Sequence, residues 1–190
     1  MKRMKPIDIE EELIKDELND SLYDLKTILK KDGFASAYID REKSDDELVE
    51  KDNVEILNVS YFDHFLSNDE FLQENFTCYS MAQDATLSIK KEIENVINNF
   101  ILFYDKLFTL NNGIIYSAHE KVEKIDNIDT YYQLVVNGMK ERPLADLLFV
   151  NINTFAIFGF DLTHYIYVKN NKKISEEIRM IAKSCNLNII

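Results

Sequence analysis

One long stretch of apolar residues at helical spacing constrains the fold more than any other part of this sequence. Between residues 80 and 113, apolar side chains recur every three or four positions, which keeps one face of an α-helix apolar. These side chains are Ile89, Ile93, Val96, Ile97, Phe100, Ile101, Tyr104, Leu107 and Phe108. Ser80 with Gln83 has the pattern of a capping box, and Asn111 to Gly113 is typical of a helix end. The stretch predicts a helix of about 30 residues, roughly 45 Å long.

Other segments predict further helices. Residues 8–31 have apolar side chains at the same spacing, with Gly33 as the expected C-terminal cap, acids in the first turns and lysines in the last. Ser44 with Glu47 and Ser67 with Glu70 are capping-box patterns that predict two short helices. Residues 128–139 and 174–185 predict two more.

The strand-like segments lie mainly in the second half of the chain. Strands are predicted at residues 34–40, 54–62, 114–118, 147–152, 154–160 and 163–169. In the strand at 154–160 both faces are apolar, which predicts a central strand covered on both sides, whereas 163–169 is amphipathic and is expected to border a surface. The order predicts an α+β fold, with helices, including the long central amphipathic helix, packed on a C-terminal antiparallel sheet. We expect a single α+β domain over residues 1–190.

Charge is distributed unevenly along the chain, whose formal net charge is −12. Residues 1–60 hold 17 acidic and 10 basic side chains, residues 61–110 hold 8 and 3, and residues 111–190 hold 9 and 9. The negative excess therefore lies in the first 110 residues. This distribution argues against binding a nucleic-acid backbone, which requires a basic patch, and favours a basic protein partner or simple solvation.

The cysteine content and the absence of long apolar runs indicate the cellular compartment. Cys78 and Cys185 are far apart and lack CxxC spacing, so we expect two free thiols in a reducing environment. The apolar run at 155–160 is much shorter than the ~20 residues of a membrane span. The first residues lack the apolar core of a signal peptide. We expect a cytoplasmic protein with no membrane contact.

No motif in the sequence reaches the specificity of a catalytic or cofactor signature. His64, His119 and His164 are far apart in sequence, and the glycines are isolated, so neither a metal cluster nor a phosphate loop is predicted. Asp161 and His164 form an Asp-x-x-His pattern that could orient an imidazole, or could be a turn aspartate beside an edge histidine. Cys78 is a candidate nucleophile or simply a packed thiol. We predict no catalytic residue, metal or cofactor.

The acid-rich first helix is the best functional candidate. Its carboxylates exceed what the helix dipole requires, which indicates either a basic partner or a solvated face. The predicted partner-binding residues are Glu10, Glu11, Glu17, Asp20 and Asp24, with Tyr165 and Tyr167 as amphipathic anchors.

Three functional hypotheses follow. The first is an acidic, non-enzymatic protein that docks on a basic partner, as an immunity or inhibitor protein does on a bacterial toxin, or as a DNA mimic does. The second is an enzyme whose site combines scattered carboxylates with a histidine, in a pocket near His164 or His119. The third is a module that forms homo-oligomers through the apolar stripe of the long helix.

Overall fold

One antiparallel sheet organises the chain. The structure, a computed structural model, describes residues 25–40, 42–74, 76–82, 85–118, 121–141, 146–159 and 161–190. Within these ranges the sheet has seven strands: β1 Val54–Ser60, β2 Ile115–Ala118, β3 Val122–Lys124, β4 Asp146–Phe149, β5 Thr154–Ile157, β6 Thr163–Lys169 and β7 Asn188–Ile189. Their order is β3-β2-β4-β5-β6-β1-β7. All strands except β1 come from the C-terminal half, as the α+β prediction required.

Six helices are described. They are α1 (residues 25–31), α2 (Asp45–Asp52), α3 (Asn68–Gln73), α4 (Leu87–Asn111), α5 (Ile128–Met139) and α6 (Lys172–Ser184). Short 3₁₀ turns occupy Ala35–Ala37, Ser80–Ala82 and Val150–Ile152. The capping boxes predicted at Ser44 and Ser67 are both present and begin α2 and α3. Each box satisfies backbone N–H groups that the first helical turn leaves without a partner.

Helix α4 is the centre of the layer that covers one face of the sheet. It packs against both α5 and α6. Its apolar stripe is buried in a cluster with the sheet residues Ala156, Ile166 and Val168. The buried members of the stripe are Ile93, Val96, Ile97, Phe100, Phe103, Tyr104 and Leu107. Because each fully buried apolar side chain contributes about 1.5–3 kcal/mol, this stripe is a main source of stability.

The opposite face of the sheet is covered by the N-terminal elements. Leu25 and Leu29 of α1 and Leu48 of α2 belong to a second buried cluster with the sheet residues Phe155 and Tyr167. Hydrogen bonds add to the apolar contacts. The hydroxyl of Tyr116 donates to Asp32 at 2.7 Å, and the ammonium group of Lys169 donates to the carbonyl of Tyr38 at 2.7 Å. Strands β5 and β6 are therefore covered on both faces.

Most predicted elements are confirmed, and four predictions are wrong in whole or in part. The strand predicted at 147–152 ends at Phe149, and Val150–Ile152 is a 3₁₀ turn. Helix α4 begins at Leu87 with Thr86 as its N-cap, so Ser80 starts a separate 3₁₀ turn instead of the helix. Residues 34–40 form the turn Ala35–Ala37 and not a strand. Strand β6 is not at a surface, because it lies between β5 and β1 with both faces covered. Of the predicted helix at 8–31, only residues 25–31 lie within the described ranges, and they are helical.

Asparagine makes many of the tight turns. Positive φ values occur at Asn53, Asn112, Asn153, Asn170 and Asn186. Asparagine tolerates this left-handed conformation better than other residues with a side chain, because its short amide can hydrogen-bond locally. Gly33, the predicted cap of the first helix, also has a positive φ, of 83°. The chain therefore turns sharply at many points although it has only four glycines.

Candidate functional site

His164 is a core residue and not an accessible catalytic group. Its side chain on β6 is buried, with 1% of the residue exposed, and its ring stacks on Phe100 of α4 at 4.3 Å between ring centres. The Nδ1 atom lies 2.8 Å from the hydroxyl of Tyr104. Burial lowers the pKa of the imidazole to about 3, so His164 is neutral at physiological pH. A sealed, neutral imidazole gives no support to an enzyme site at His164.

The Asp-x-x-His pattern does not form a working pair. The carboxylate of Asp161 accepts backbone hydrogen bonds from Asp161 itself and from Thr163, which is the bonding of a turn aspartate. Burial raises its pKa. The imidazole of His164 is bonded instead to Tyr104. Of the two alternatives for this pattern, the turn aspartate describes Asp161 correctly, but His164 is interior and not at an edge.

The predicted anchors Tyr165 and Tyr167 lie side by side on β6, facing the second cluster. Tyr167 is 3% exposed, and its hydroxyl donates to Asp45 of α2 at 3.3 Å. Tyr165 is half-buried. Both rings therefore pack within the chain, and Tyr167 would have to move to contact a partner. The predicted carboxylates Glu10, Glu11, Glu17, Asp20 and Asp24 lie outside the described residues.

Helix α2 gives the described part of the chain its densest run of acids. Five of its eight residues are acidic, and its sequence is DDELVEKD. Glu47 pairs with Lys51 at 2.8 Å and Asp52 pairs with Lys43 at 2.6 Å. These cations lower the pKa of both carboxyl groups. Asp46 and Glu50 are exposed and have no ion-pair partner among the described residues. Helix α2 therefore presents free negative charge.

Strand β1, against which α2 packs, is paired on one side along its whole length and on the other side only at its end. Strand β6 pairs with every residue from Val54 to Ser60, whereas β7 pairs only with Val59 and Ser60. The N–H of Asn170 donates to the carbonyl of Asn53, so odd-numbered residues direct their backbone groups toward β6.

Even-numbered residues of β1 direct their backbone groups to the outer edge. The carbonyl of Asn58 shows this, because it accepts from the N–H of Ile190 beyond β1. Val54 and Ile56 have the same parity, and no strand among the described residues pairs with them on that side. Unpaired backbone groups along a strand are a template for another strand. This segment, Val54 to Leu57, is called the open edge below.

A groove of about 470 Å³ runs beside the open edge. Val49 of α2 forms one side, Lys172 and Ser175 of α6 form the other, and the strand residues Val54 and Ile56 line it between them. Val49 is 49% exposed, so it adds accessible apolar surface to the groove. The groove thus combines apolar lining, free backbone groups and the acidic helix α2.

Glu55 lies in the same groove with its charge partly balanced. Its carboxylate accepts from Arg179 of α6 at 2.7 Å. This guanidinium group, helped by Ser175, lowers the pKa of Glu55. The ion pair ties α6 to β1 and leaves an ionised carboxylate beside the open edge.

His64 is the centre of a small exposed cluster. Its Nδ1 lies 2.6 Å from Asp63 and its Nε2 lies 3.2 Å from Glu70, which also closes the capping box of α3. The carboxylates raise the pKa of His64, with Asp63 the larger cause. Bonds from Ser67 lower the pKa of Glu70 to about 2. These contacts hold the preceding loop against α3. The described residues contain no group of three potential metal ligands, here or elsewhere.

The oligomerisation hypothesis required the apolar stripe of α4 to be paired between subunits. The stripe is instead buried against the chain's own sheet, so that form of the hypothesis is wrong. Separately, no helix in the described ranges combines the length and apolar character of a membrane span.

The open edge was missed by sequence reasoning. A strand at 54–62 was predicted, but which strands would lie beside it was not. The only local hint is Val49, an apolar residue among the acids of α2. Comparison with known proteins gives no match: no family model, no curated protein and no solved structure matches this chain.

Proposed function

We propose that this chain is an acidic, non-enzymatic binding protein that docks on a basic protein, as an immunity or inhibitor protein docks on a bacterial toxin. The observation that carries the proposal is the concentration of the net charge of −12 in the first 110 residues. A field of this sign speeds encounter with a cationic surface and repels nucleic acid. Carboxylates can also occupy a cleft that normally receives phosphates.

Helix α2 supports the proposal from the described part of the chain. Its free carboxylates, Asp46 and Glu50, belong to the acidic portion of the sequence and lie next to an accessible groove. An interface needs apolar contact as well as charge, because exposed ion pairs alone contribute little affinity. Val49 and Ile56 supply such contact beside the acids.

We place the encounter in the cytoplasm. Cys78 and Cys185 are both free thiols, which fits a reducing compartment. No catalytic step is part of the proposal.

The experiment is affinity capture by the full chain from a lysate of the source cells, at about 0.05 M and about 0.5 M salt. The distance over which charges attract each other in solution falls from about 10 Å at 0.1 M salt to about 3 Å at 1 M. A basic protein should therefore be retained at low salt and released at high salt. Recovery of no basic protein at low salt contradicts the proposal.

Two variants and one control locate the surface. Replacing Glu10, Glu11, Glu17, Asp20 and Asp24 by their amides tests the acidic segment for which the sequence predicts a helix, and Asp46→Lys with Glu50→Lys tests α2. The control, Asp126→Lys with Asp129→Lys, makes the same change of charge near α5, away from β1, and Asp129 lies in a first helical turn as Asp46 does. We expect at least one test variant to weaken capture about tenfold and the control to change it much less. Equal loss in all three indicates nonspecific attraction and contradicts a defined docking surface.

A further inference from the structure

We propose that the open edge of β1 receives an extended, lysine- or arginine-bearing segment of a protein partner, which adds an antiparallel strand to the sheet. The inference rests on the proposed function, because it gives the basic partner a mode of binding. The inference adds that the partner is recognised through the outward backbone groups of β1, those of the half-buried Ile56 above all.

The outer backbone groups of β1 are oriented to receive another strand. The N–H and C=O groups of Val54 and Ile56 point away from β6, and β7 stops short of them. Ile56 is half-buried, so an added strand can bond to it without displacing any described strand, whereas Val54 is 2% exposed and the groups that cover its outer side must shift before it can bond as well. The groove beside them has room for the added side chains. All pairs in the sheet are antiparallel, so an antiparallel strand continues the existing pattern.

The direction of the side chains on the added strand explains why basic residues are favoured. Ile56 points to the face covered by α2, together with Tyr167, its partner on β6. In an antiparallel addition, the residues that bond to Ile56 point to that same face. Asp46 is three residues before Val49, so it shares the side of α2 that borders the groove. Basic residues at these positions of the incoming strand meet the free carboxylate of Asp46.

A second copy of this chain is a poorer occupant. Two-fold antiparallel pairing of the open edge places Val54 opposite Ile56 of the other copy, so the two Glu55 residues stand opposite each other. Like charges directly opposite across strands are destabilising, although the ion pair of each Glu55 with Arg179 reduces this repulsion. The same arrangement brings two acidic α2 helices together. The edge therefore selects a partner of opposite charge.

The test uses a fluorescent peptide of about eight residues in which lysine and valine alternate, titrated with the full chain and followed by anisotropy. Two derivatives carry N-methyl groups, one on each lysine and the other on each valine. In the proposed register the lysine N–H groups face β1, so methylation there should weaken binding at least tenfold. Methylation of valine leaves the charge unchanged and should have little effect. Equal binding by the two methylated peptides, or no binding of the parent peptide, overturns the proposal.

Two protein variants complete the test. Ile56→Pro removes the outward N–H and keeps the pairing with β6, because the backbone groups of Ile56 do not face β6. It should weaken peptide binding about tenfold, whereas Ile56→Ala should weaken it much less. Equal effects from the two substitutions overturn backbone recognition. Concentration-dependent dimerisation that Ile56→Pro abolishes overturns the choice of partner, because it assigns the edge to a second copy.

The outcomes separate the two proposals. Salt-sensitive capture of a basic protein that Ile56→Pro leaves intact contradicts strand addition and retains the acidic binding protein. Peptide binding that depends on the backbone, together with failure to capture any basic protein, contradicts the proposed function.

Discussion

Strands β5 and β1 are both rich in apolar residues, but their neighbours cover them to different degrees. Strand β5 is paired with β4 on one side and β6 on the other, and its residues Phe155 and Ala156 are buried in the two opposite clusters. Strand β1 also has β6 beside it, yet β7 covers only its last residues. The two faces of β5 are covered as its apolar composition predicts, but the composition of neither strand says which backbone edges are paired.

Two residues in one row of the sheet differ in how far they are covered. Phe155 and Ile56 are the neighbours of Tyr167 on either side. Phe155 is buried and Ile56 is half-buried. We expect Phe155→Ala to lower the free energy of unfolding by about 3–5 kcal/mol, through lost burial and a cavity. Ile56→Ala should cost less than half of that, measured by urea unfolding. Equal costs would mean that the row is covered equally at both ends.

The second prediction concerns pH and the interior of β6. The folded pKa of His164 is lowered to about 3, below the ordinary value of 6.5, so below 6.5 the unfolded chain takes up a proton that the folded chain does not. Stability from this group is therefore lost as pH falls from 6.5 toward 3. Between pH 7.5 and pH 5 the loss is about 2 kcal/mol.

The control for the pH prediction is the double variant Tyr104→Phe with His164→Leu, which replaces the buried polar pair by apolar groups. Urea unfolding at both pH values should show a smaller decrease for this variant, by about 2 kcal/mol. His64, whose pKa is raised, stabilises below its unfolded pKa and loses that effect as pH rises. His64 is present in both the unchanged protein and the double variant, so its contribution cancels in the comparison. Identical pH profiles would show that His164 is accessible to protons in the folded state.

The third and smallest effect compares proline at adjacent positions of β1. Ile56→Pro should lower the free energy of unfolding by an amount within about 1 kcal/mol of that for Ile56→Ala, because the N–H of residue 56 faces the open edge. Leu57→Pro should cost about 1–3 kcal/mol more than Leu57→Ala, because its N–H belongs to the ladder with β6. Urea unfolding of the four variants gives both differences. A large extra cost of proline at both positions would indicate an unseen partner of the Ile56 N–H.

Local patterns predicted most of the fold. Residues 128–139 and 163–169 form α5 and β6 with the predicted bounds, because spacing and stop signals lie within each segment. The start of α4 was missed because Ser80 is held by a distant group. The carboxylate of Glu141 accepts from the N–H groups of Tyr79 and Ser80, at 2.7 and 3.3 Å. A contact across some 60 residues overrides a local capping pattern.

The candidate site was less predictable than the fold, for the same reason. The acidity of α2 can be seen directly in the sequence. The open edge, in contrast, depends on β1 pairing with β6, which lies more than 100 residues away in the chain. Tyr165 and Tyr167 have the alternation of a half-exposed strand, and only the packing of α1 and α2 over them makes Tyr167 interior. Such non-local contacts decide which surface remains free.

Among the described residues, no strand pairs with the outer backbone groups of Val54 and Ile56 on β1, and the proposed mode of binding depends on this. Amide hydrogen exchange of the isolated chain, resolved by residue, tests it directly. We expect fast exchange at Ile56 and slow exchange at its neighbours Glu55 and Leu57, whose N–H groups face β6. Protection of Ile56 equal to that of Leu57 would contradict it.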